Sequence, residues 1–377
     1  MRSVGGVLLE KFCVFCGNPP ENKNKEHVLP QWLLRETGDP TRVVKMGINY
    51  KTQKPIEFSW NSLTMPSCTS CNDEFSGLES RIKPIIEALQ RREGVTVENY
   101  ILLMDWMDKV RVGLWLNYHV LQGNPTGIAP NFHIKERIGR KDRYLAVHAI
   151  DTEEKSLNAF GVESIVFHNA PICFGLKVNS ILLVNISADF IFSERAGFPF
   201  PTRREYINEG ECVSAQRLVD FDMRKAVEHP VLHPRMHKAS IELVQPILQL
   251  DAREAASTEP QETMRNFLGV NWDFDSYLAP RTYPPHFQPK GVVLRQFQDQ
   301  TVPLPDIEQK IEFDSVTGHE CRPLGELVAQ IYEYQNMMFE SVAPEGFSTE
   351  DGPWQRILEF NLAVAGEYRK RAGESST

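Results

Sequence analysis

Cys13-Val-Phe-Cys16, Lys25-Glu-His27-Val-Leu-Pro30 and Cys68-Thr-Ser-Cys71-Asn72 are the three short stretches that decide how the N-terminal quarter folds. Each cysteine pair has the spacing of a tight knuckle, and two knuckles supply the four thiolates of one tetrahedral zinc. Gly17, directly after the first pair, permits the backbone turn a knuckle needs. The stretch from Gly17 to Ser67 is long for a plain zinc ribbon, but extra loop length adds little closure cost. An inserted hairpin accounts for it. Thr41–Ile48 and Pro55–Trp60 read as its two strands, with a turn at Asn49–Lys54. After Cys71 the apolar residues Phe75, Leu78, Ile82, Ile85, Ile86 and Leu89 recur at helical spacing, so a helix is expected from Asn72 to about Gln90. Pro84 kinks it or marks a joint between two helices.

Working outward, the chain has 377 residues, of which 41% are hydrophobic and 24% charged. That is ordinary globular composition, which excludes a disordered chain, a collagen-like fibre and a small disulfide scaffold. Its formal net charge is -9. A protein that coats nucleic acid would be basic, so any such contact here is local. The charge is uneven: through Glu93 there are 13 Lys/Arg against 11 Asp/Glu, about +2, leaving about -11 for the rest. The seven cysteines form two pairs and three singletons (Cys173, Cys212, Cys321), which suggests a reducing compartment and a metal site rather than disulfides. The run Val7-Leu8-Leu9 is too short for a signal peptide. Tyr100–Leu121 is strongly apolar but carries Asp105, Asp108, Lys109 and Arg111, so it reads as a buried core helix rather than a membrane span. The expected location is cytoplasmic.

The arrangement of Cys-x-x-Cys, Glu26-His27-x-x-Pro30, Asn61 and Cys-x-x-Cys-Asn72 resembles the HNH endonuclease family, also called His-Me finger or ββα-metal nucleases. More narrowly, Glu-His-x-x-Pro-x-Trp followed by Cys-x-x-Cys-Asn-x-x-x-Ser-x-Leu-Glu looks like a bacterial subgroup with a variable C-terminal region. The resemblance covers roughly residues 10–90. It implies a β-hairpin and helix holding one divalent metal, Mg²⁺ or Mn²⁺, with Glu26 and Asn72 as ligands. It also implies that Asn61 braces the loop carrying His27. The physical chemistry agrees on the roles. Phosphodiester hydrolysis needs a water deprotonated and the developing charge offset, and histidine suits the proton near neutral pH. His27 is therefore the expected general base. A hard cation prefers oxygen ligands such as those of Glu26 and Asn72. Glu79, two turns after Asn72 on the same helix face, is a third candidate ligand or a solvated carboxylate. Asn72 could equally serve as a helix N-cap. Glu in place of the family's commoner Asp, and Asn in place of His, depart from the usual pattern and suit a weaker oxygen-liganded site. Trp32 and Leu33 read as core.

The expected fold class is α+β: a zinc-stapled ββα-metal module over residues 1–95, a helix and antiparallel-sheet region over 96–245, and an irregular Pro-rich segment with C-terminal helices over 246–377. Tyr144–Ile150, Ser164–His168, Ile172–Val178 and Ser180–Ile186 read as strands of an antiparallel meander separate from the nuclease core, with Phe190–Ser193 a further candidate. Helices are expected at about Pro323–Val342 and Pro353–Arg371. His229, His233 and His237 are spaced four apart, but Pro230 and Pro234 interrupt a helix there and leave them as surface histidines. His319 and Cys321 lack a third partner for nucleophilic catalysis. Arg137, Arg140, Lys141 and Arg143 read as a solvated basic loop, with phosphate contact as the alternative. The function this points to is a metal-dependent endonuclease acting on DNA or RNA. Its setting by resemblance is restriction or phage defence, and its acidic C-terminal part would serve self-association or a protein partner. The alternative is a non-catalytic zinc-knuckle module that binds nucleic acid or protein.

Overall fold

A computed structural model of the chain describes residues 12–22, 24–49, 52, 54–121, 132–139, 141–188, 200–209, 212–222, 239–245, 293–297, 300–304, 306–313, 323–342 and 352–374. They form a mixed α/β structure with antiparallel sheets and C-terminal helices.

The N-terminal part begins with the Cys13 knuckle, closed by Gly17 N–H donating to the Cys13 carbonyl at 2.9 Å. Gly17 has φ +76°, and a Cβ there would lie 2.5 Å from the His133 ring, so no larger residue fits without a shift. Strand β1 (Asn24–His27) follows, then the short helix α1 (Gln31–Glu36) behind Pro30, which anchors Leu33 and Leu34 in the core. The hairpin β2 (Val43–Asn49) and β3 (Lys54–Ser59) comes next, as expected, with a bulge between Lys45 and Ile48. A 3₁₀ turn, Trp60–Ser62, leads into β4 (Thr64–Ser67). β4 runs antiparallel to β1, with Glu26 opposite Met65 and His27 opposite Thr64.

β4 passes directly into α2 (Thr69–Gln90), which starts three residues before Asn72, with Cys68 at its N-cap. Its buried stripe is the one the spacing requires: Phe75, Leu78, Ile82, Ile85, Ile86 and Leu89. The helix continues unbroken through Pro84.

After the short strand β5 (Val95–Thr96), helix α3 (Val97–Leu121) runs through the middle of the molecule. Apolar on almost every side, it can be stable only when surrounded, and it is buried from Tyr100 to His119. Next come β6 (Asp142–Ala149), β7 (Leu157–Phe160), α4 (Ile165–Asn169), β8 (Cys173–Val178) and β9 (Ile181–Ala188). A separate two-stranded ribbon is made by β10 (Phe200–Glu209) and β11 (Cys212–Asp222). Then follow β12 (Ile241–Gln245), β13 (Val293–Phe297), β14 (Gln300–Leu304) and β15 (Lys310–Ile311), the last pairing with β5. The main sheet has seven strands, all antiparallel, in the order β14-β13-β12-β6-β9-β8-β7.

Strand residues alternate between the two faces of this sheet. Leu145, Val147, Leu176, Leu183 and Leu243 share one core with α3 and α2. Tyr144, Ala146, Leu182, Val184 and Val244 face the other way, against α5 (Leu324–Val342). α6 (Pro353–Glu374) then packs on α5. Gly175 in β8 leaves room for α5: a Cβ there would meet Ile331 Cδ1 at 2.3 Å.

Several expectations change. Ser164–His168 is not a strand. Ser164 Oγ accepts a hydrogen bond from Phe167 N–H at 3.1 Å and caps α4, so a serine before β-forming residues acts as a helix start. The sheet is not separate from the N-terminal elements, since a single core, built around α3, holds both. The segment read as irregular contains β13, β14 and β15. Arg143 is not in a solvated loop; it is fully buried in β6. Phe190–Ser193, Arg140, His229, His233, His237, His319 and Cys321 lie outside the described residues. Among the described residues no helix is long and apolar enough to cross a membrane.

Candidate functional site

Cys13, Cys16, Cys68 and Cys71 converge, their sulfurs all within 4.8 Å of one another. Cys16 Sγ and Cys68 Sγ are 4.0 Å apart. A zinc tetrahedron with Zn–S bonds of about 2.3 Å puts its sulfurs about 3.8 Å apart, so this cluster is of the right size. The first pair comes from the knuckle before β1. The second sits at the start of α2, where backbone N–H groups and the helix dipole favour thiolates. Burial raises the Cys13 thiol, but N–H groups of Cys68, Cys16 and Phe15 outweigh it and hold its pKa below the ordinary value. Cys71 is pushed up to about 12 by burial and by the charge of Cys13 and Cys16. Four thiolates this close cannot all ionise without a cation among them. The four cysteines could therefore bind a metal ion such as zinc.

His27 ends β1 and is half-buried. Gln31, the first residue of α1, places its amide nitrogen 3.2 Å from each ring nitrogen and donates to Asn61 Oδ1 at 2.6 Å. Asn61 is exposed in the 3₁₀ turn and is itself tied down by its N–H to the Pro40 carbonyl, 3.2 Å. His27 and Asn61 are thus connected, through Gln31. Burial lowers the His27 pKa, Glu26 raises it and Lys109 lowers it; the net shift is downward. The downward shift favours the neutral ring, whose lone pair faces the Gln31 amide.

Glu26 points the opposite way from His27, as strand alternation requires, and is buried. There it meets the ammonium of Lys109, which reaches in from α3 with Nζ 2.5 Å from Glu26 Oε1 and also bonds Glu79 Oε1 on α2. The Lys109 side chain is 1% exposed. Burial pulls its pKa down, yet the two carboxylates outweigh burial and raise it, so it is a full cation. Burial raises the Glu79 carboxyl, with Glu26 adding to the rise and Lys109 opposing it. Asn72 lies in the first turn of α2, half-buried, two turns before Glu79. Its side chain takes part in none of the hydrogen bonds among the described residues. Glu26 and Glu79 are thus brought together, around Lys109, while Asn72 shares the helix but not the ion pairs.

Sequence reasoning missed Gln31 and Lys109. Nothing singles out Gln31, a polar residue four after a histidine. Lys109 did carry a signal, as a charge inside an apolar helix, but its partners lie 83 and 30 residues away. The same two turns of α3 also tie it to the sheet. Arg143 bonds both Asp105 and Asp108, the latter at 3.3 Å, and its Nε donates to Gln245 at 3.0 Å. Arg111 bonds Asp108 at 2.8 Å and Asn185. Gly113 lets α3 pass the segment just after His27, since a Cβ there would already be 3.1 Å from Val28 Cγ1.

No family model, curated protein or solved structure matches the chain.

Proposed function

We propose that the chain is a metal-dependent endonuclease of the HNH kind that hydrolyses phosphodiester bonds of DNA or RNA. The observation that carries this is the order β1–β4–α2, with His27 at the end of β1, Glu26 turned toward α2, and four cysteines stapling both ends of the unit. Residues 1–95 form the cutting module on this reading. His27, neutral and held by Gln31 and Asn61, orients a water and takes its proton. Glu26 and Asn72 offer the oxygen donors a hard cation prefers. The convergence of two carboxylates on one ammonium supports the fit, because Lys109 stands in there for a positive charge. Mg²⁺ or Mn²⁺ held there supplies the charge that offsets the developing phosphoryl and leaving-group oxygens. Glu79 acts mainly on Lys109, as its second carboxylate partner. The regions 96–245 and 246–377 select or gate the substrate, or recruit a partner through their acidic surface, in a bacterial restriction or phage-defence setting.

One observation favours a second reading. Glu26 already has a cation, so the unit could be a charge-satisfied zinc-knuckle module that binds nucleic acid or protein without cutting. Plasmid nicking by the purified chain with Mn²⁺ decides between them. Wild type should nick and His27→Ala should not, with zinc content unchanged. If both nick alike, or wild type binds DNA and never cuts, the nuclease reading falls.

A further inference from the structure

Lys109 is the cation at this site, and its effect on a metal bound there has a consequence that can be measured. Its ammonium lies 2.5 Å from Glu26 Oε1 and bonds Glu79 as well. Two carboxylates from different elements, β1 and α2, thus converge on a cation delivered by a third element, α3. That is the donor arrangement a hard divalent cation seeks, already filled. A metal at bonding distance of that Glu26 oxygen, about 2.0–2.6 Å, would stand against the ammonium in a poorly hydrated site. The ammonium cannot swing out into water. Its stem is buried, and α3 is fixed to the sheet by the Asp105–Arg143 and Asp108–Arg143 ion pairs in the adjoining turn.

We propose that Lys109 is a resident counter-cation that holds the space between Glu26 and Glu79 and competes with the divalent metal for the Glu26 carboxylate. It is a positioning residue that sets metal affinity, and it touches no substrate. With Lys109 in place Glu79 is withheld from the metal, which has only Glu26 of the two carboxylates to compete for. Without its charge, Glu79 becomes a further ligand and the site tightens. This inference rests on the nuclease reading of the same site.

The test measures Mn²⁺ binding to the full zinc-loaded chain by isothermal titration, without substrate. Lys109→Gln removes the charge and keeps an amide donor for both carboxylates. Lys109→Met removes both and is the harsher variant; where it does not fold, Lys109→Gln decides. Zinc content and far-UV circular dichroism report folding. Lys109→Gln should bind Mn²⁺ at least about tenfold more tightly than wild type, since a neighbouring like charge is gone. Adding Glu79→Gln to it should remove most of that gain. Equal or weaker Mn²⁺ binding by a folded Lys109→Gln overturns the proposal and leaves the nuclease reading standing. Absence of Mn²⁺ binding by wild type and every variant overturns both.

Discussion

His168 lets a pH effect be worked out in advance. It is fully buried at the end of α4, its ring stacked on Tyr118 with centroids 3.4 Å apart, and neither ring nitrogen has a well-formed hydrogen bond among the described residues. Burial, reinforced by the charge of His119 and opposed by the Val162 backbone, lowers its pKa from 6.5 to about 3. The folded-state pKa therefore lies below the unfolded one. Above pH 6.5 neither state holds the proton, and the stability is intact. As pH falls toward 3, the unfolded chain gains a proton the native state refuses, and stability is lost. At about 1.4 kcal/mol per pH unit, the full window is worth at most about 5 kcal/mol, and the part between pH 7 and pH 5 about 2 kcal/mol. That is a large share of an ordinary stability of about 5–15 kcal/mol. His168→Phe keeps an aromatic ring against Tyr118 and removes the titration. Urea unfolding followed by circular dichroism at pH 7, 6 and 5 should show wild type losing about 2 kcal/mol more than the variant. Parallel losses in the two proteins would refute the reasoning.

Cys68→Ser should remove a thiolate from the four-cysteine cluster and unfold the N-terminal part; metal analysis should find about one zinc per wild-type chain and well under one in the variant. A folded, zinc-free wild type would contradict this. Gln335→Leu should cost about 3–5 kcal/mol, because its amide donates to the carbonyls of Gly161 and Cys173 and accepts from Ser164 and Asn361, all of them buried. A thermal melt within a degree or two of wild type would count against it. Gly325→Ala should push α5 off α6, since its Cβ would lie 2.3 Å from the Tyr368 carbonyl oxygen, and should lower stability by about 1–3 kcal/mol in the same melt.

The four-cysteine cluster was legible because knuckle spacing is a local constraint: two Cys-x-x-Cys pairs can be recognised at any separation along the chain. The stripe of α2, the all-round apolar character of α3 and three of the seven central-sheet strands, β6, β8 and β9, were legible too, because periodicity and apolar runs are written in consecutive residues. Ser164 was misread because Val166 and Phe167 are strand formers by propensity, whereas the capping bond that outweighs it occupies a single position. Arg143 looked like part of a basic loop. Only the fold reveals that Asp105 and Asp108, a helix away, neutralise it. The strands β7, β12, β13 and β14 escaped because none is longer than five residues, and β12 pairs with β6 and β13 across long stretches of sequence. At the candidate site the cysteines could be named from spacing, and His27 and Glu26 from the resemblance of the motif between the two pairs. The ion pairs that decide their electrostatics could not, since no local pattern encodes a contact between residues 26 and 109.

The dependence of Glu26 on α3 has a consequence for how the protein comes into being on the ribosome. The four cysteines are all present once residue 71 has emerged, so the staple can close early. Glu26 meets its cation only after Lys109 is made, and α3 is clamped only when Arg143 and finally Gln245 have arrived to hold it. At about 5–20 residues per second, the roughly 170 residues between Cys71 and Gln245 take roughly 10–35 s to synthesise. A nascent chain therefore carries its complete four-cysteine cluster well before its acidic site is charge-balanced.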